Sequence, residues 1–295
     1  MKSLSLRSYA KINLGLLLLD KRKDGYHNIA TVFQQIDLYD IMTFRKGSSA
    51  IEITATDPAI PSNKKNLAFK AFQLFQKKLA IQEGLEIYIK KYIPVGGGLG
   101  GGSSNAATTL LAVNHLYGNP LSDTELNRIA AHLGSDVPFF LKGGTALGQG
   151  RGEMLTPLRW PTNYWIVLTC PPFGVSTSWA YNQAKITLTK DEKFTKFVLI
   201  LERYNPHALK ANFQNELEGV VFRRHPILRE IKEQMYQRDA FYAGMSGSGS
   251  SIYGLFFEKK QAKSVKTFFS TQKGLSTYLC RPISPHPADE IRMHE

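Results

Sequence analysis

Six glycines fall within the seven positions Gly96 to Gly102, inside the run Pro94-Val-Gly-Gly-Gly-Leu-Gly-Gly-Gly-Ser-Ser-Asn-Ala-Ala107. A stretch this rich in glycine is expected to be a loop over its whole length, because glycine weakens helix and strand interiors. Glycine also accepts positive φ and carries no side chain, so successive backbone N–H groups can turn inward around an anion. Upstream, Leu85, Ile87 and Ile89 alternate with Glu86, Tyr88 and Lys90, the pattern of a half-buried strand running to Pro94. Downstream, Ala106, Leu110, Val113 and Tyr117 share one face of a helix expected over Asn105 to Tyr117. Its first turn would present free N–H groups and a positive dipole end to the same space. Strand, glycine loop and helix together form a phosphate cradle. A loop that only reversed the chain would lose entropy at six glycines with nothing to offset it.

Several phosphate-binding classes can be tested against the letters. Gly96, Gly98 and Gly101 satisfy the Gly-x-Gly-x-x-Gly spacing of dinucleotide-binding folds. That class needs an acidic residue about 20 positions on, at the end of the next strand. Here the nearest acids, Asp123 and Glu125, fall in a helix cap. No Gly-x-x-x-x-Gly-Lys-Ser/Thr occurs, nor His-Arg-Asp or Asp-Phe-Gly, which sets aside P-loop NTPases and protein kinases.

The remaining composition narrows the setting. Hydrophobic residues make up 43% and charged residues 21%, so a folded globular chain is expected and not a disordered one. No run reaches the roughly 18 apolar residues of a membrane span. The N-terminus alternates apolar and polar residues like a strand, unlike a secretory leader. Two cysteines, Cys170 and Cys280, make neither a disulfide framework nor a metal site, and the expected location is cytoplasmic. The net charge of +13 is spread over pairs such as Lys64-Lys65 and Arg223-Arg224, with no block of five or six. It reads as a solvated basic surface or as steering of an anionic substrate. No RNP-type stacking motif accompanies it, so neither nucleic acid nor membrane is an expected partner.

Along the chain, Leu4 to Leu19 reads as a strand, Asp24-Gly25 as a tight turn, and Ile29 to Ile36 and Ile41 to Phe44 as further strands. A helix is expected from Asn66 to Leu79. Another starts at the capping box Ser122-Asp123-Thr124-Glu125 and ends at Gly134. Prolines between Leu155 and Pro161 mark a linker. Beyond it come a strand at Trp165 to Cys170 and helices near Trp179 to Ala184, Lys193 to Arg203 and Ile227 to Gln237. A Gly/Ser loop, Gly244 to Ser251, leads into a strand at Ile252 to Phe256. Strands and helices mix without a regular βαβ period, which indicates an α+β chain with two lobes, residues 1–157 and 158–295.

The glycine run with its Ser-Ser-Asn-Ala-Ala tail resembles the phosphate-loop motif of the GHMP kinases. Other stretches are similar to that family as well. They are Ala10-Lys11-Ile12-Asn13-Leu14, Asp24-Gly25-Tyr26-His27, Gly134-Ser135-Asp136-Val137-Pro138-Phe139-Phe140, Gly174-Val175-Ser176-Thr177 with Tyr181, and Ser246-Gly247-Ser248-Gly249. Residues 185–235 match nothing specific. The resemblance implies a two-lobed GHMP kinase fold with its active site in the inter-lobe cleft. It implies ATP with Mg²⁺ bound along Pro94, Val95, Gly96, Gly97, Gly98, Leu99, Gly100, Gly101, Gly102, Ser103, Ser104 and Asn105. No protein ligand for Mg²⁺ follows from it. Lys11 and Asp136 are the implied catalytic pair, with Asp136 taking the proton of an alcohol. By position alone, Asp136 is equally a turn residue bonded to its own backbone, and Lys11 a solvated strand lysine. Asn13, Tyr26, His27, Thr177 and Tyr181 are the implied substrate contacts, the aromatics meeting the cytosine of a cytidine diphosphate-linked alcohol. Other GHMP acceptors (mevalonate, homoserine or a sugar) stay open, as does a monomer or weak homodimer.

Overall fold

The computed structural model describes residues 3–184 and 213–283, together with Phe194, Phe197, Leu209 and Lys210. Two long strands open the chain, β1 (Ser3–Lys21) and β2 (His27–Lys46), joined by a tight turn in which Gly25 has φ +85°. Their antiparallel register runs from Ser3 opposite Arg45 to Lys21 opposite His27. The two strands expected between Ile29 and Phe44 are one. Asp37 and Leu38 bulge out opposite the Tyr9–Ala10 step, so pairing resumes without a break in the strand.

Four more strands extend this sheet: β3 (Ile51–Ala55), β4 (Leu85–Lys90), β5 (Thr145–Gly150) and β6 (Met154–Pro157). The order is β3-β4-β2-β5-β6, with β1 also paired to β2. In β4 the alternation seen in the sequence becomes alternating burial, with Leu85, Ile87 and Ile89 inside. The expected linker from Leu155 to Pro161 begins later, because Met154–Pro157 pairs with β5 at the sheet edge, where a terminal proline is tolerated.

One face of the sheet is covered by α1 (Leu67–Leu79), α2 (Gly101–Leu116), α3 (Asp123–Leu133) and α4 (Val137–Lys142). Phe72 and Phe75, Leu110, Leu126 and Phe139 join Met42, Phe44 and Ile87 in its core. Asn66 caps α1 by accepting from Ala68 N at 2.9 Å, and the Ser122–Glu125 capping box of α3 is formed. Caps of this kind are worth about 1 kcal/mol each. Helix α2 starts four residues before the expected Asn105. Its first turn contains Gly101 and Gly102, where N–H groups lack intrahelical partners in any case, so glycine is tolerated there.

The second sheet, ordered β10-β7-β9-β8, is antiparallel throughout. It consists of β7 (Trp165–Cys170), β8 (Tyr242–Met245), β9 (Ile252–Phe256) and β10 (Ser276–Cys280). Gly244 and Met245 belong to β8, which shortens the expected Gly/Ser loop to residues 246–251. Its helices are α5 (Thr177–Gln183), α6 (Glu218–Arg224), α7 (Pro226–Gln237) and α8 (Lys259–Ser270). Apart from Phe194 and Phe197, the helix expected at Lys193 to Arg203 lies outside the described residues. No helix among the described residues is long and apolar enough to cross a membrane.

Another core cluster fills the space between the sheets. Ile12, Leu14, Val32 and Ile36 of the first meet Ile166, Leu168, Tyr253 and Leu255 of the second, with Leu99 of the glycine loop among them. Polar stitches run along the same seam. Tyr253 Oη donates to Asn13 O at 2.7 Å, and Ile283 N donates to Gln35 O at 3.0 Å.

Candidate active site

Strand β1 carries Lys11 and Asn13 two residues apart, so both side chains leave the same side of the strand. Ile12 and Leu14 on the other side are buried between the sheets. This packing fixes the strand, and Lys11 N donates to Leu99 O at 3.0 Å, tying it to the glycine loop.

The loop is held from its carbonyl side. Gly97 O accepts from Ser251 N at 3.2 Å, Gly98 O from Ser246 Oγ at 2.9 Å, and Leu99 O from Lys11 N. Because the peptide is planar, the N–H groups of Gly98, Leu99 and Gly100 lie on the opposite edges. Gly98 has φ +76°, and a Cβ there would stand 2.2 Å from Ser246 O, so only glycine fits. The loop runs directly into the N-terminus of α2, which adds its own N–H groups and dipole.

Behind the loop, Asp40 is fully buried and accepts from Tyr92 N, Ile93 N, Lys91 Nζ and Asn105 Nδ2 at 2.8–3.1 Å. Burial pushes the Lys91 ammonium below the ordinary lysine value, against the pull of Asp40. Asn105 Nδ2 also donates to Ser8 Oγ, which itself donates to Ser104 Oγ at 2.8 Å. Ser104 and Asn105 therefore brace the loop from inside the protein, whereas the family resemblance implies that they bind the nucleotide.

A cavity of about 720 Å³ opens beside the loop. Lys11, Asn13, Tyr26, His27, Gly98, Gly100, Asp136, Thr177 and Tyr181 all line it. Pro94, Val95 and Gly96 lead into the loop outside this cavity, with Val95 half-exposed. Gly97 is buried, Leu99 anchors the core, and Gly101, Gly102 and Ser103 form the first turn of α2.

Asp136 stands at the N-cap position of α4 but makes no capping bond. Its side chain, one-third exposed, instead meets the buried Lys11, with Nζ to Oδ2 at 3.4 Å. Lys11 Nζ also donates to Asn13 Oδ1 at 2.5 Å and lies 5.4 Å above the Phe33 ring. A carboxylate and an ammonium this close, both on the cavity wall, can hold a hydroxyl between them.

In the same cavity, the His27 and Tyr181 rings are 5.6 Å apart and tilted by 36°. Burial, then the charge of Lys21, pushes the His27 imidazole below its ordinary value. Burial and the Asp136 charge push the Tyr181 hydroxyl up. Thr177 and Tyr181 are four apart on α5 and share a face, and Thr177 Oγ1 lies 3.0 Å from Ser248 Oγ. Tyr26 is 56% exposed, with the Arg151 guanidinium 5.2 Å above its ring.

Several residues at or behind the site have no role assigned from the sequence. Ser246 and Ser248 are within a recognised motif but are not expected as contacts. Arg151, Asn182, Phe33 and Thr31 have no local signal, because their roles come from partners distant in the chain.

The pattern of the GHMP kinases N terminal domain matches residues 66–144, and that of the GHMP kinases C terminal domain matches residues 204–274. A 4-diphosphocytidyl-2-C-methyl-D-erythritol kinase of Alkaliphilus metalliredigens is 40% identical over 266 residues, covering 90% of this chain and 91% of its own. The like-named protein of Alkaliphilus oremlandii is 40% identical, covering 94% and 98%. A crystal structure of 4-(cytidine 5'-diphospho)-2C-methyl-D-erythritol kinase superposes with a TM-score of 0.78 at 31% identity, over 95% of this chain and all of its own. A homoserine kinase of Cytophaga hutchinsonii shares the fold, with a TM-score of 0.77 at 21% identity over 97% of each chain. With its phosphate loop, its two sheets and these relatives, the chain belongs to the GHMP kinases.

Proposed function

We propose that the chain transfers the γ-phosphoryl group of ATP to the 2-hydroxyl of 4-diphosphocytidyl-2-C-methyl-D-erythritol, a step of non-mevalonate isoprenoid precursor synthesis. The observation that carries this is one cavity lined by both the Lys11–Asp136 pair and the His27–Tyr181 rings. The relatives' names support the same acceptor.

Phosphoryl transfer to an alcohol passes through a loose transition state, so positioning and charge stabilisation dominate. Asp136 accepts the proton of the acceptor hydroxyl as the bond to phosphorus forms. Lys11, held by Asn13 Oδ1, orients that hydroxyl and offsets charge on the transferring group. The loop N–H groups and the α2 N-terminus bind the phosphates. Tyr181 offers its ring face to cytosine, while His27 forms hydrogen bonds with the base edge and Tyr26 packs against it.

Mg²⁺ fits this site as a companion of the triphosphate. No group of three metal-ligating side chains occurs among the described residues, and Mg²⁺ commonly takes one or two protein oxygens with phosphate and water. The ion would neutralise phosphate charge there. The same reading takes residues 1–157 and 158–295 as the two lobes, a cytoplasmic location, and a monomer or weak homodimer.

Incubation with Mg-ATP and the cytidine acceptor, followed by phosphorus NMR, tests the proposal. Expected products are ADP and the 2-phosphate. Transfer to mevalonate, homoserine or a sugar in place of the cytidine acceptor overturns it.

A further inference from the structure

We propose that Thr31 is a positioning residue for the transfer, acting through Asn13 on the Lys11 ammonium. The inference rests on the function proposed above. Thr31 is fully buried on β2, opposite Leu16, where β1 departs from regular pairing between Asn13 and Leu16. Gly15, with φ +87°, lies in that irregular stretch, and its carbonyl accepts the Thr31 hydroxyl at 2.6 Å.

A hydroxyl has one proton to give. With that proton committed to Gly15 O, Thr31 Oγ1 can only accept from Asn13, and it takes Nδ2–H at 2.9 Å. This settles which way the Asn13 amide points. Rotating it by half a turn would set Oδ1 against an oxygen with no proton to offer. It would also aim the NH₂ group at a lysine ammonium. In the observed orientation Oδ1 receives Lys11 Nζ at 2.5 Å, and Lys11 is thereby held between Asn13 and Asp136 above the Phe33 ring. Thr31 does not line the cavity, so its influence on substrate passes through Asn13.

Thr31→Val keeps the shape of the side chain and removes the hydroxyl, Thr31→Ser keeps the hydroxyl, and Asn13→Ala removes the intermediary. In Thr31→Val, kcat should fall about tenfold or more with the KM for ATP within twofold of the parent, and Thr31→Ser should recover the parent kcat. In an Asn13→Ala background, Thr31→Val should cause no further fall, the coupling expected of residues acting in series. In the ligand-free protein the Nζ resonance of Lys11 should shift in Thr31→Val and not in Thr31→Ser. Additive losses of kcat, or a lowered melting temperature with kcat and the Lys11 resonance unchanged, overturn the proposal. The resonance needs no substrate, so it decides the role of Thr31 even if the parent fails to phosphorylate the cytidine acceptor.

Discussion

Alanine at Gly102 should move stability and ATP binding in opposite directions. Gly102 is the second residue of α2, is exposed, and has an ordinary backbone conformation. A Cβ built on it meets no heavy atom within 4 Å. The protein alone therefore gives no reason for glycine, and alanine should gain about 0.5–1 kcal/mol of helix propensity. For a chain of this size that is roughly 1–3 °C in melting temperature. Gly98 provides the contrast, since a Cβ there would strike Ser246 O and alanine should destabilise. If phosphate packs against the first turn of α2, the methyl group introduced by Gly102→Ala holds it off. Losing one hydrogen bond to a charged group costs about 1.5–3 kcal/mol, or roughly 10- to 100-fold in ATP affinity. Thermal melts without nucleotide give the first quantity and calorimetric titration with ATP the second. A Gly102→Ala variant that binds ATP within twofold of the parent would refute the reasoning, because the phosphates would then lie away from this turn.

Asp136→Asn should lower turnover by roughly 10²–10⁴ with ATP binding little changed, measured by steady-state kinetics and titration. A folded variant within a few-fold of the parent would mean that the carboxylate takes no proton. Tyr181→Phe should be nearly silent, whereas Tyr181→Ala should raise the KM for the cytidine acceptor about tenfold, ~1.4 kcal/mol, and leave the KM for ATP alone. Because the folded pKa of His27 lies below its ordinary value of about 6.5, the unfolded chain binds its proton first on acidification. Stability linked to His27 is thus constant above that pH and is lost as pH falls through the folded value. His27→Gln should remove this slope in denaturant titrations between about pH 7.5 and 5.

What the sequence made visible follows from the range of the interactions. The glycine run, the Ser122 capping box and the four-residue spacing of Thr177 and Tyr181 are local patterns, and local geometry carries each of them into the structure. Strands β5 and β6 left no such trace. Thr145 to Leu147 are buried in succession, so no alternation marks the strand. Glycine propensity alone placed the start of α2 too late, because it does not register that the first turn needs few intrahelical bonds. Ser104 and Asn105 look like an extension of the phosphate loop until Ser8 and Asp40 are seen to occupy them. Thr31 was silent for a related reason, since its effect depends on which way its single proton points.

The seam between the sheets also sets an order in time. Lys11 and Asn13 are made long before their partners, for Asn13 N donates to Ser246 Oγ and Asn13 O accepts from Tyr253 Oη, 233 and 240 positions later. Leu16 pairs with Asn215 across a similar gap. At translation rates of about 5–20 residues per second, roughly 10–50 s separate the emergence of β1 from that of its partners. Through that interval Ile12 and Leu14 lack the apolar cover that the second sheet later supplies. Contacts of such long sequence separation also slow folding once the chain is released. A ribosome stalled short of Tyr253 thus carries the whole glycine loop and Lys11, but not the strand whose tyrosine holds Asn13 from the second sheet.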